Sequence, residues 1–319
     1  MVSGPAGPTL TAGRHVVVEV PATIANLGAG FDCLGLAVDL ALRVELEVVD
    51  GAAGKPVELT VEGEGDGDIS TGRGNRFLEA LDAGLREHRV DRPAGLGWRI
   101  RMRNEIPLAR GLGSSGAAAV AGLLAADALA GAATAEVPML DRATALEGHS
   151  DNVAPALLGG FVASLPPRAI RFDAPDSLRV VLLVPEMRLS TPRMRAILPE
   201  SVPRTDAIAN LGRVALGVAG IATGDMTVLA RLTEDRLHEP YRTAAYPQLP
   251  ALVAAARSAG AIGACLAGGG STVAAFTIDS TDTRRIGDAM RAAATELGLP
   301  ASIRVVSPRN RGARVVEPA

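Results

Sequence analysis

Lysine is almost absent from this chain of 319 residues, in which Lys55 is the only one. A Walker-type phosphate loop needs a lysine directly after its glycines, and Lys55 does not belong to such a loop. The two cysteines, Cys33 and Cys265, have neither the spacing of a metal site nor the number that a disulfide framework needs. We therefore expect two free thiols in a reducing compartment.

Long apolar runs and a strong net charge are missing as well. The strongly apolar stretch 119–131 is too short to cross a membrane, and Asp127 interrupts it. The N-terminus has no basic segment followed by an apolar run, so we expect no signal peptide. The net charge of -3 does not call for a polyanionic partner. These absences favour a cytoplasmic enzyme that binds neither membranes nor nucleic acids.

Apolar periodicity predicts strands and helices that mix without strict βαβ alternation, which is typical of an α+β protein. Strands are predicted at 15–20, 36–49 and 98–102, with a loop over 21–35 after the first, and an apolar helix at 115–130 is predicted to be buried.

The chain length suggests two domains. The paired prolines Pro166 and Pro167 mark the expected boundary between them. Residues before position 14 are rich in glycine and proline and are predicted to form a mobile tail. The expected organisation is therefore a flexible tail at 1–13, an N-terminal domain at 14–166 and a C-terminal domain at 167–319.

The sequence GLGSSG at 111–116 formally matches the dinucleotide fingerprint G-x-G-x-x-G. That fold requires the glycines directly after a buried parallel strand, whereas here the preceding strand alternates with arginines and seven residues intervene. Two interpretations remain. The turn can present helix amides and the hydroxyls of Ser114 and Ser115 to a phosphate, or it can be a plain serine-capped helix.

Three other segments favour the phosphate site. Segments 21–35 and 146–160 place several polar side chains among small and apolar residues, and segment 266–276 has three consecutive glycines before a strand. Together with PLARGLGSSGAAA, they resemble the three motifs of the GHMP kinases, named for galactokinase, homoserine kinase, mevalonate kinase and phosphomevalonate kinase. The resemblance runs from about residue 15 to the end. EGHSDNVAPALLGG, STPRMRAILP and HEPYR resemble the homoserine kinase branch more narrowly.

The resemblance implies a two-domain fold, with an N-terminal ATP-binding α+β domain and a C-terminal ferredoxin-like α+β domain. It implies ATP and Mg²⁺ as nucleotide and cofactor, L-homoserine as the phosphoryl acceptor, and a homodimer. Another GHMP small-molecule kinase, acting on mevalonate or a sugar, is the alternative enzyme. A non-catalytic ligand-binding relative is the alternative of a different class.

Residue by residue, the resemblance assigns the nucleotide and metal sites. Asn75 matches a residue that helps to hold adenine, although a plain helix N-cap explains it equally well. Magnesium is expected on Glu147 and on Ser115, with Ser114 as the alternative serine, because Mg²⁺ prefers hard oxygen ligands. The middle motif is expected to wrap the ATP phosphates through Pro107, Leu108, Ala109, Arg110, Gly111, Leu112, Gly113, Ser114, Ser115, Gly116 and Ala117.

The same mapping assigns the acceptor site. Arg195 and Arg242 match arginines that bind the substrate carboxylate, for which a planar guanidinium is suited. Asn26 and Asp32 line the homoserine site, where Asp32 neutralises the ammonium group. The remaining assignments are Asn152 near the reacting hydroxyl, Thr191 near the phosphoryl-transfer site, and His149 and His238 as substrate contacts.

Three features qualify this mapping. His149 and His238 have a structural histidine as the competing interpretation. No lysine is available for the part that it plays in some relatives, so no dedicated catalytic base is expected and Asn152 and Thr191 are the catalytic candidates. The third motif departs from the family pattern, and the loss of a hydroxyl at Ala267 and of a proline at Ser271, together with Gly269, is expected to loosen that loop.

Overall fold

Two β-sheets carry the fold of the protein, seen here in a computed structural model. The structure describes residues 7–51, 57–70, 72, 74–133, 135–278 and 282–316. Within these residues, one sheet has seven strands and the other has four, and ten α-helices pack around them. This mixture of strands and helices confirms the predicted α+β class. None of the helices in the described ranges combines the length and the apolar character that a membrane crossing requires.

The larger sheet has the strand order β11-β1-β2-β4-β3, and β5 and β6 extend it from β2. Its strands pair antiparallel except for β3 and β4, which are parallel. Its strands are β1 (His15–Ala25), β2 (Leu34–Asp50), β3 (Val57–Gly63), β4 (Leu96–Asn104), β5 (Phe161–Leu165), β6 (Arg168–Phe172) and β11 (Arg314–Val316). The helices associated with it are α1 (Arg76–Glu87), α2 (Ser114–Ala130), α3 (Glu136–Glu147) and α4 (Ser150–Leu158).

The smaller sheet is antiparallel throughout, with the order β10-β7-β9-β8. Its strands are β7 (Arg179–Pro185), β8 (Gly263–Leu266), β9 (Val273–Thr277) and β10 (Ala301–Val306). Helices separate β7 from β8 and β9 from β10, so the chain follows the split βαββαβ pattern of ferredoxin-like domains. The helices are α5 (Thr191–Ala196), α6 (Arg204–Thr223), α7 (Leu229–Leu232), α8 (Glu239–Arg242), α9 (Leu249–Ser258) and α10 (Asp282–Glu296), with a 3₁₀ turn at Met226–Val228.

Helix α2 lies in the core, as its apolar composition predicts. It packs on α1 and on the inner face of β1. Asp127, its one charged residue, accepts two hydrogen bonds from Arg142 at 2.9 and 2.8 Å and lies 2.7 Å from the ring of His88. Burial alone would raise the pKa of Asp127, but the bonds to Arg142 and His88 hold that pKa below its usual range. The buried charge is therefore paired.

Strand β1 is longer than predicted and corrects the expected loop at 21–35. Its second half continues to pair with β2 after a bulge between Pro21 and Ala22, with Thr23 opposite Ala37. Residues 20–25 are buried on both faces of the sheet, so the alternation that signals a strand is absent from the sequence. Residues 26–33 leave the sheet, and Leu34 and Gly35 already belong to β2.

The N-terminal residues and the turn at Pro166 and Pro167 bear on the predicted organisation of the chain. Residues 1–6 of the predicted tail lie outside the described residues, but Leu10 is buried and its N–H donates to Asp91 O at 2.9 Å, so a mobile tail reaching residue 13 is wrong. Pro166 and Pro167 form the turn between β5 and β6, two strands of the larger sheet, and β11 returns to that sheet. The division at 166/167 stays a prediction.

Candidate active site

A cleft of about 110 Å³ opens where the glycine turn meets the smaller sheet. Its walls come from segments that are far apart in the sequence. The lining residues are Asn26, Asp32, Pro107, Ala109, Arg110, Gly111, Leu112, Gly113, Ser114, Ser115, Gly116, Glu147, His149, Asp151, Asn152, Thr191, Arg195, Arg242, Gly268 and Gly269. Most of the residues that the sequence singled out therefore share one cavity.

The glycine turn is built for close backbone approach. Gly111 and Gly113 have left-handed φ values of 79° and 72°. A Cβ at Gly111 would lie 2.0 Å from Ala267 O, and one at Gly113 would lie 1.9 Å from the Thr23 hydroxyl. Gly113 is the N-cap of α2 and makes no side-chain cap bond, so the serine-capped interpretation is wrong. The first amides of α2 lack intrahelical partners. Such amides at a helix N-terminus attract anions.

A second, more apolar cavity of about 320 Å³ adjoins the cleft and shares Ala109, Ser114, Ser115 and Thr191 with it. Asn75 and Leu108 line this second cavity. The Asn75 Oδ1 accepts the Leu78 N–H at 3.2 Å and its Nδ2 donates to Ser70 O at 2.7 Å, so Asn75 does cap α1. Ala117 is fully buried inside α2 and lines neither cavity.

Glu147 lines the cleft, and little of its side chain is exposed. Its Oε1 accepts a hydrogen bond from Ser115 Oγ at 2.8 Å and lies 3.0 Å from Arg76 Nε. Within the described ranges, no three His, Cys, Asp or Glu residues cluster as a metal site would require. Two hard oxygens side by side instead fit Mg²⁺, which takes few protein ligands and completes its shell with phosphates and water.

A residue of strand β1 holds the side chain of Asn152 in place. The Thr23 hydroxyl donates to Asn152 Oδ1 at 2.8 Å, and Asn152 lines the cleft. Thr191 lies at the N-terminus of α5, where it lines both cavities. The structure thus places both catalytic candidates beside the glycine turn.

The loop after β1 is held in an unusual backbone shape. Asn26 and Asp32 have positive φ values of 72° and 58°, which asparagine and aspartate tolerate better than most residues. Asn26 Nδ2 donates to Gly268 O at 3.0 Å, and its Oδ1 accepts the Asp32 N–H at 3.0 Å. The side chain of Asn26 therefore braces the loop against the third glycine motif while Asp32 faces the cleft.

Two arginines converge beside this loop. Arg195 forms a two-pronged ion pair with Asp32 at 2.8 and 2.6 Å, and both side chains remain about one-third exposed. Arg242 is buried, and its Nη1 donates to Gly268 O at 2.7 Å. The ring of Phe31 lies 5.6 and 5.5 Å from the two guanidinium groups, within reach of a cation–π attraction.

The two histidines have different positions. His238 is fully buried, donates from Nε2 to Gly28 O at 2.8 Å and accepts from Arg242 at Nδ1, and burial lowers the pKa of His238 to about 4. His238 does not line the cleft, so its assignment as a substrate contact is wrong and the structural interpretation holds. His149 does line the cleft, and a hydrogen bond to Asp151 at 2.5 Å raises the pKa of His149.

The third glycine motif is packed closely. Ala267 and Ser271 are fully buried, and the Ser271 hydroxyl donates to Met187 O. Gly268 supplies the carbonyl that receives bonds from Asn26 and Arg242. The predicted loosening of this loop is at odds with that packing, because a serine hydroxyl bond anchors the position at which the family has proline.

Four residues of the site were missed from the sequence. Thr23 fell in a segment predicted to be a loop, and Phe31 and Arg76 carry no motif signal of their own. Asp151 is one of the polar residues in segment 146–160, but the resemblance implies no role for it. These residues act by holding Asn152, the arginines, Glu147 and His149, and such contacts become visible only once the chain is folded.

The segment HEPYR also yields a pH-dependent stability prediction. Glu239 accepts the Leu266 N–H at 2.7 Å, and burial of its carboxyl raises the pKa of Glu239 from 4.5 to about 8. The folded state therefore keeps a proton that the unfolded chain loses, and stability falls as the pH rises across that window. Glu239→Gln should gain stability relative to wild type between about pH 5 and about pH 8 in urea unfolding. A stability difference between Glu239→Gln and wild type that does not change with pH would contradict this prediction. Glu296→Gln, at an exposed position, is the control and should show such a pH-independent difference.

Two family models and several known proteins match this chain. The family model of the GHMP kinases N terminal domain matches residues 75–160, and that of the GHMP kinases C terminal region matches 218–296. A homoserine kinase of Moorella thermoacetica is 40% identical over 304 residues, covering 94% of this chain and 99% of the relative. One of Thermus thermophilus is 45% identical over 259 residues, covering 81% of this chain and 85% of the relative.

Among solved structures, a homoserine kinase from Cytophaga hutchinsonii superimposes with a TM-score of 0.83 at 29% identity. The match covers 96% of this chain and 99% of that structure. The N-terminal family model includes the glycine turn, and the matches to the Moorella and Cytophaga proteins cover 94% and 96% of this chain. The chain therefore belongs to the homoserine kinase family of the GHMP kinases.

Proposed function

We propose that the protein transfers the γ-phosphoryl group of ATP to the side-chain hydroxyl of L-homoserine, giving O-phospho-L-homoserine. The observation that carries this proposal is a single cleft in which a helix N-terminus free to bind phosphate faces Asp32, Arg195 and Arg242. An amino acid presents one cation and one anion, and these three side chains offer the opposite charges. The family membership supports the same substrate.

In this proposal, the adenosine part occupies the apolar cavity beside Asn75 and Leu108, and the phosphates lie on the turn 111–116. The amides of α2 stabilise negative charge because they are already oriented and need no reorganisation. Phosphoryl transfer passes through a loose transition state, so positioning and charge neutralisation do most of the work. The chain needs no lysine for this.

We assign Ser115 and Glu147 as the residues that hold Mg²⁺. When bound, the metal would neutralise phosphate charge. Arg76 also contacts Glu147, so it keeps the carboxylate oriented toward Ser115. Ser114 lines both cavities as well and remains the alternative serine.

For the acceptor, we propose that the zwitterion enters between Asp32 and Arg195. The substrate carboxylate replaces Asp32 as the partner of Arg195, and its ammonium pairs with Asp32, so neither side chain is left without an opposite charge. Arg242, which is buried, offers a second positive charge to the substrate carboxylate. Asn152 and Thr191 then lie near the reacting hydroxyl, whose proton passes to the γ-phosphate or to solvent. A cytoplasmic location accompanies this proposal as a prediction.

The deciding experiment measures ATP consumption with homoserine, mevalonate, galactose and shikimate as acceptors. Turnover with homoserine alone supports the proposal. Turnover with another alcohol and none with homoserine would contradict it and favour the alternative small-molecule kinase. Absence of Mg-ATP binding in calorimetry would instead favour a non-catalytic relative.

Arg195→Ala should raise the homoserine KM by about 30-fold, equivalent to about 2 kcal/mol, with little change in kcat. The reason is that a charge-assisted bond to the substrate carboxylate is lost, while the phosphate turn is untouched. Arg193→Ala is the matched control, because Arg193 lies on the same helix but is exposed and outside the cleft. Unchanged constants in Arg195→Ala would show that the acceptor site lies elsewhere.

A further inference from the structure

Arg242 is buried in the wall of the cleft, and two neighbours fix one nitrogen of its guanidinium group. Its Nη1 donates to Gly268 O at 2.7 Å and to His238 Nδ1 at 3.0 Å, which uses both hydrogens of that nitrogen. Its Nη2 donates to none of the described residues, and its buried Nε likewise has no partner among them. The unused donors of the guanidinium therefore lie on the edge formed by Nε and Nη2.

The neighbours of the His238 imidazole determine which of its nitrogens carries the proton. Nε2 lies 2.8 Å from Gly28 O and 3.6 Å from an oxygen of Asp235, and a carbonyl and an ionised carboxylate accept hydrogen bonds but do not donate them. Nδ1 faces Arg242, which can only donate. The proton therefore belongs to Nε2, and Nδ1 presents its lone pair. Burial, which lowers the pKa of His238 to about 4, favours the same neutral ring.

The backbone and a stacked ring hold this imidazole in place. His238 is the N-cap of α8, and Arg242 follows one turn later, with its N–H donating to His238 O at 3.0 Å. The Asp235 carboxylate accepts three backbone N–H groups at the start of this helix, at 3.0, 2.7 and 2.7 Å. The ring of Phe31 stacks on the imidazole, with the ring centroids 4.9 Å apart. The position of Nδ1 is therefore set by the fold before any substrate binds.

We propose that His238 is a positioning residue for the acceptor site: its neutral imidazole accepts a hydrogen bond from Arg242 and holds the guanidinium so that Nη2 meets the carboxylate of the substrate. This inference rests on the proposed function. A buried guanidinium with unused donors is costly until an acceptor arrives, and a carboxylate supplies both the charge and the oxygens. His238 itself does not line the cleft, so it acts through Arg242.

A histidine with only a structural role would have different consequences. Loss of its packing would lower the stability of the fold, while the folded fraction would keep the kinetic constants of wild type. Loss of a positioning role instead raises the KM for the acceptor. It leaves kcat and the KM for ATP nearly unchanged, because the hydrogen bonds of His238 involve no residue of the phosphate turn.

Two amide substitutions separate the two nitrogens of the ring. The short amide of asparagine reaches about as far as Nδ1, and its oxygen can accept from Arg242. The longer amide of glutamine reaches the place of Nε2, where its nitrogen can donate to Gly28 O. His238→Gln should therefore raise the homoserine KM by about tenfold or more, since a hydrogen bond to a charged group is lost. His238→Asn should stay within about threefold of wild type, because that bond is kept.

Steady-state kinetics with each substrate varied in turn give these constants. Both variants lose the same ring and the same stacking on Phe31, so thermal melting should show similar losses of stability. His88→Gln is the matched control, because His88 also has a charged partner, Asp127, but lies outside the cleft. It should keep both KM values of wild type. A homoserine KM that is no higher in His238→Gln than in His238→Asn would overturn the positioning role.

The choice of acceptor keeps this test separate from that of the proposed function. Turnover of mevalonate or shikimate in place of homoserine would contradict the proposed function. Both of these acceptors carry a carboxylate, however, so the same difference in KM between the two variants would still support the role of His238. Turnover of galactose alone, which has no carboxylate, would overturn both proposals. If no acceptor is turned over, the Kd of homoserine in calorimetry takes the place of KM in the same comparison.

A spectroscopic measurement on the free enzyme tests the same geometry without any substrate. Nitrogen NMR of histidine-labelled enzyme distinguishes the two neutral tautomers and the charged ring, and His238→Asn identifies the signals by their loss. We expect His238 to be neutral at pH 7 with its proton on Nε2. A proton on Nδ1 would leave no lone pair for Arg242 and would overturn the proposal.

Discussion

Gly113→Ala should lower kcat/KM for homoserine by about 100-fold or more, because displacing catalytic groups by about 1 Å can have an effect of that size. An alanine Cβ at position 113 would stand 1.9 Å from the Thr23 hydroxyl and 2.9 Å from Asn152 Oδ1. Either the turn must move away from the strand, or the Thr23–Asn152 hydrogen bond must break. Both outcomes displace the phosphate site from the acceptor site. Steady-state kinetics measure the loss.

Gly131→Ala is the matched control at the other end of the same helix. Gly131 is the C-cap of α2 with φ 66°, close to the 72° of Gly113, and a Cβ there meets nothing within 4 Å. Both variants carry the same left-handed strain, about 1–2 kcal/mol of stability. Only Gly113→Ala should lose activity. Equal kinetic constants in the two variants would contradict the role given to the turn.

The local elements of this fold were largely predictable, because their cause is local. The apolar composition of 115–130 predicts a buried helix, and α2 occupies Ser114–Ala130. The strand predicted at 36–49 is β2, where buried and less buried positions alternate along much of its length. The motifs likewise placed the glycine turn at the start of a helix. In each case the information lies within about 20 neighbouring residues, which is the range that periodicity covers.

The contacts that complete the site were not predictable in this way. Asp32 and Arg195 are 163 positions apart, and Thr23 and Asn152 are 129 apart. No spacing rule connects residues at such distances, so the ion pair and the hydrogen bond follow only from how the sheets pack. For His238, the sequence predicts a substrate contact that the fold does not provide. In the fold, His238 is buried beside Arg242. Its Nε2 donates a hydrogen bond to Gly28 O, and its Nδ1 accepts one from Arg242.

Glu147→Gln should lower kcat by about 100-fold, equivalent to about 2.7 kcal/mol of lost transition-state stabilisation. Glutamine has nearly the same shape and can still accept hydrogen bonds from Ser115 and Arg76, so the fold of the site is retained. The substitution removes the negative charge of the Glu147 carboxylate, which we assign as a ligand of Mg²⁺. A neutral amide is a weaker ligand for this ion than a carboxylate. Calorimetry provides a readout independent of turnover: added Mg²⁺ should strengthen ATP binding less in the variant than in wild type.

Glu79→Gln is the control that isolates this charge. Glu79 also pairs with Arg76, at 3.0 Å, but its side chain is 46% exposed and it lines neither cavity. If Glu147 acted only as an anchor for Arg76, the two variants would have similar and small effects. A large loss in Glu147→Gln alone, with a weakened response to Mg²⁺, would assign the carboxylate to the metal. A Glu147→Gln enzyme with wild-type kcat and Mg²⁺ response would leave Ser115 and Ser114 as the only protein oxygens of the assignment, and the mapping of the metal site would then be wrong.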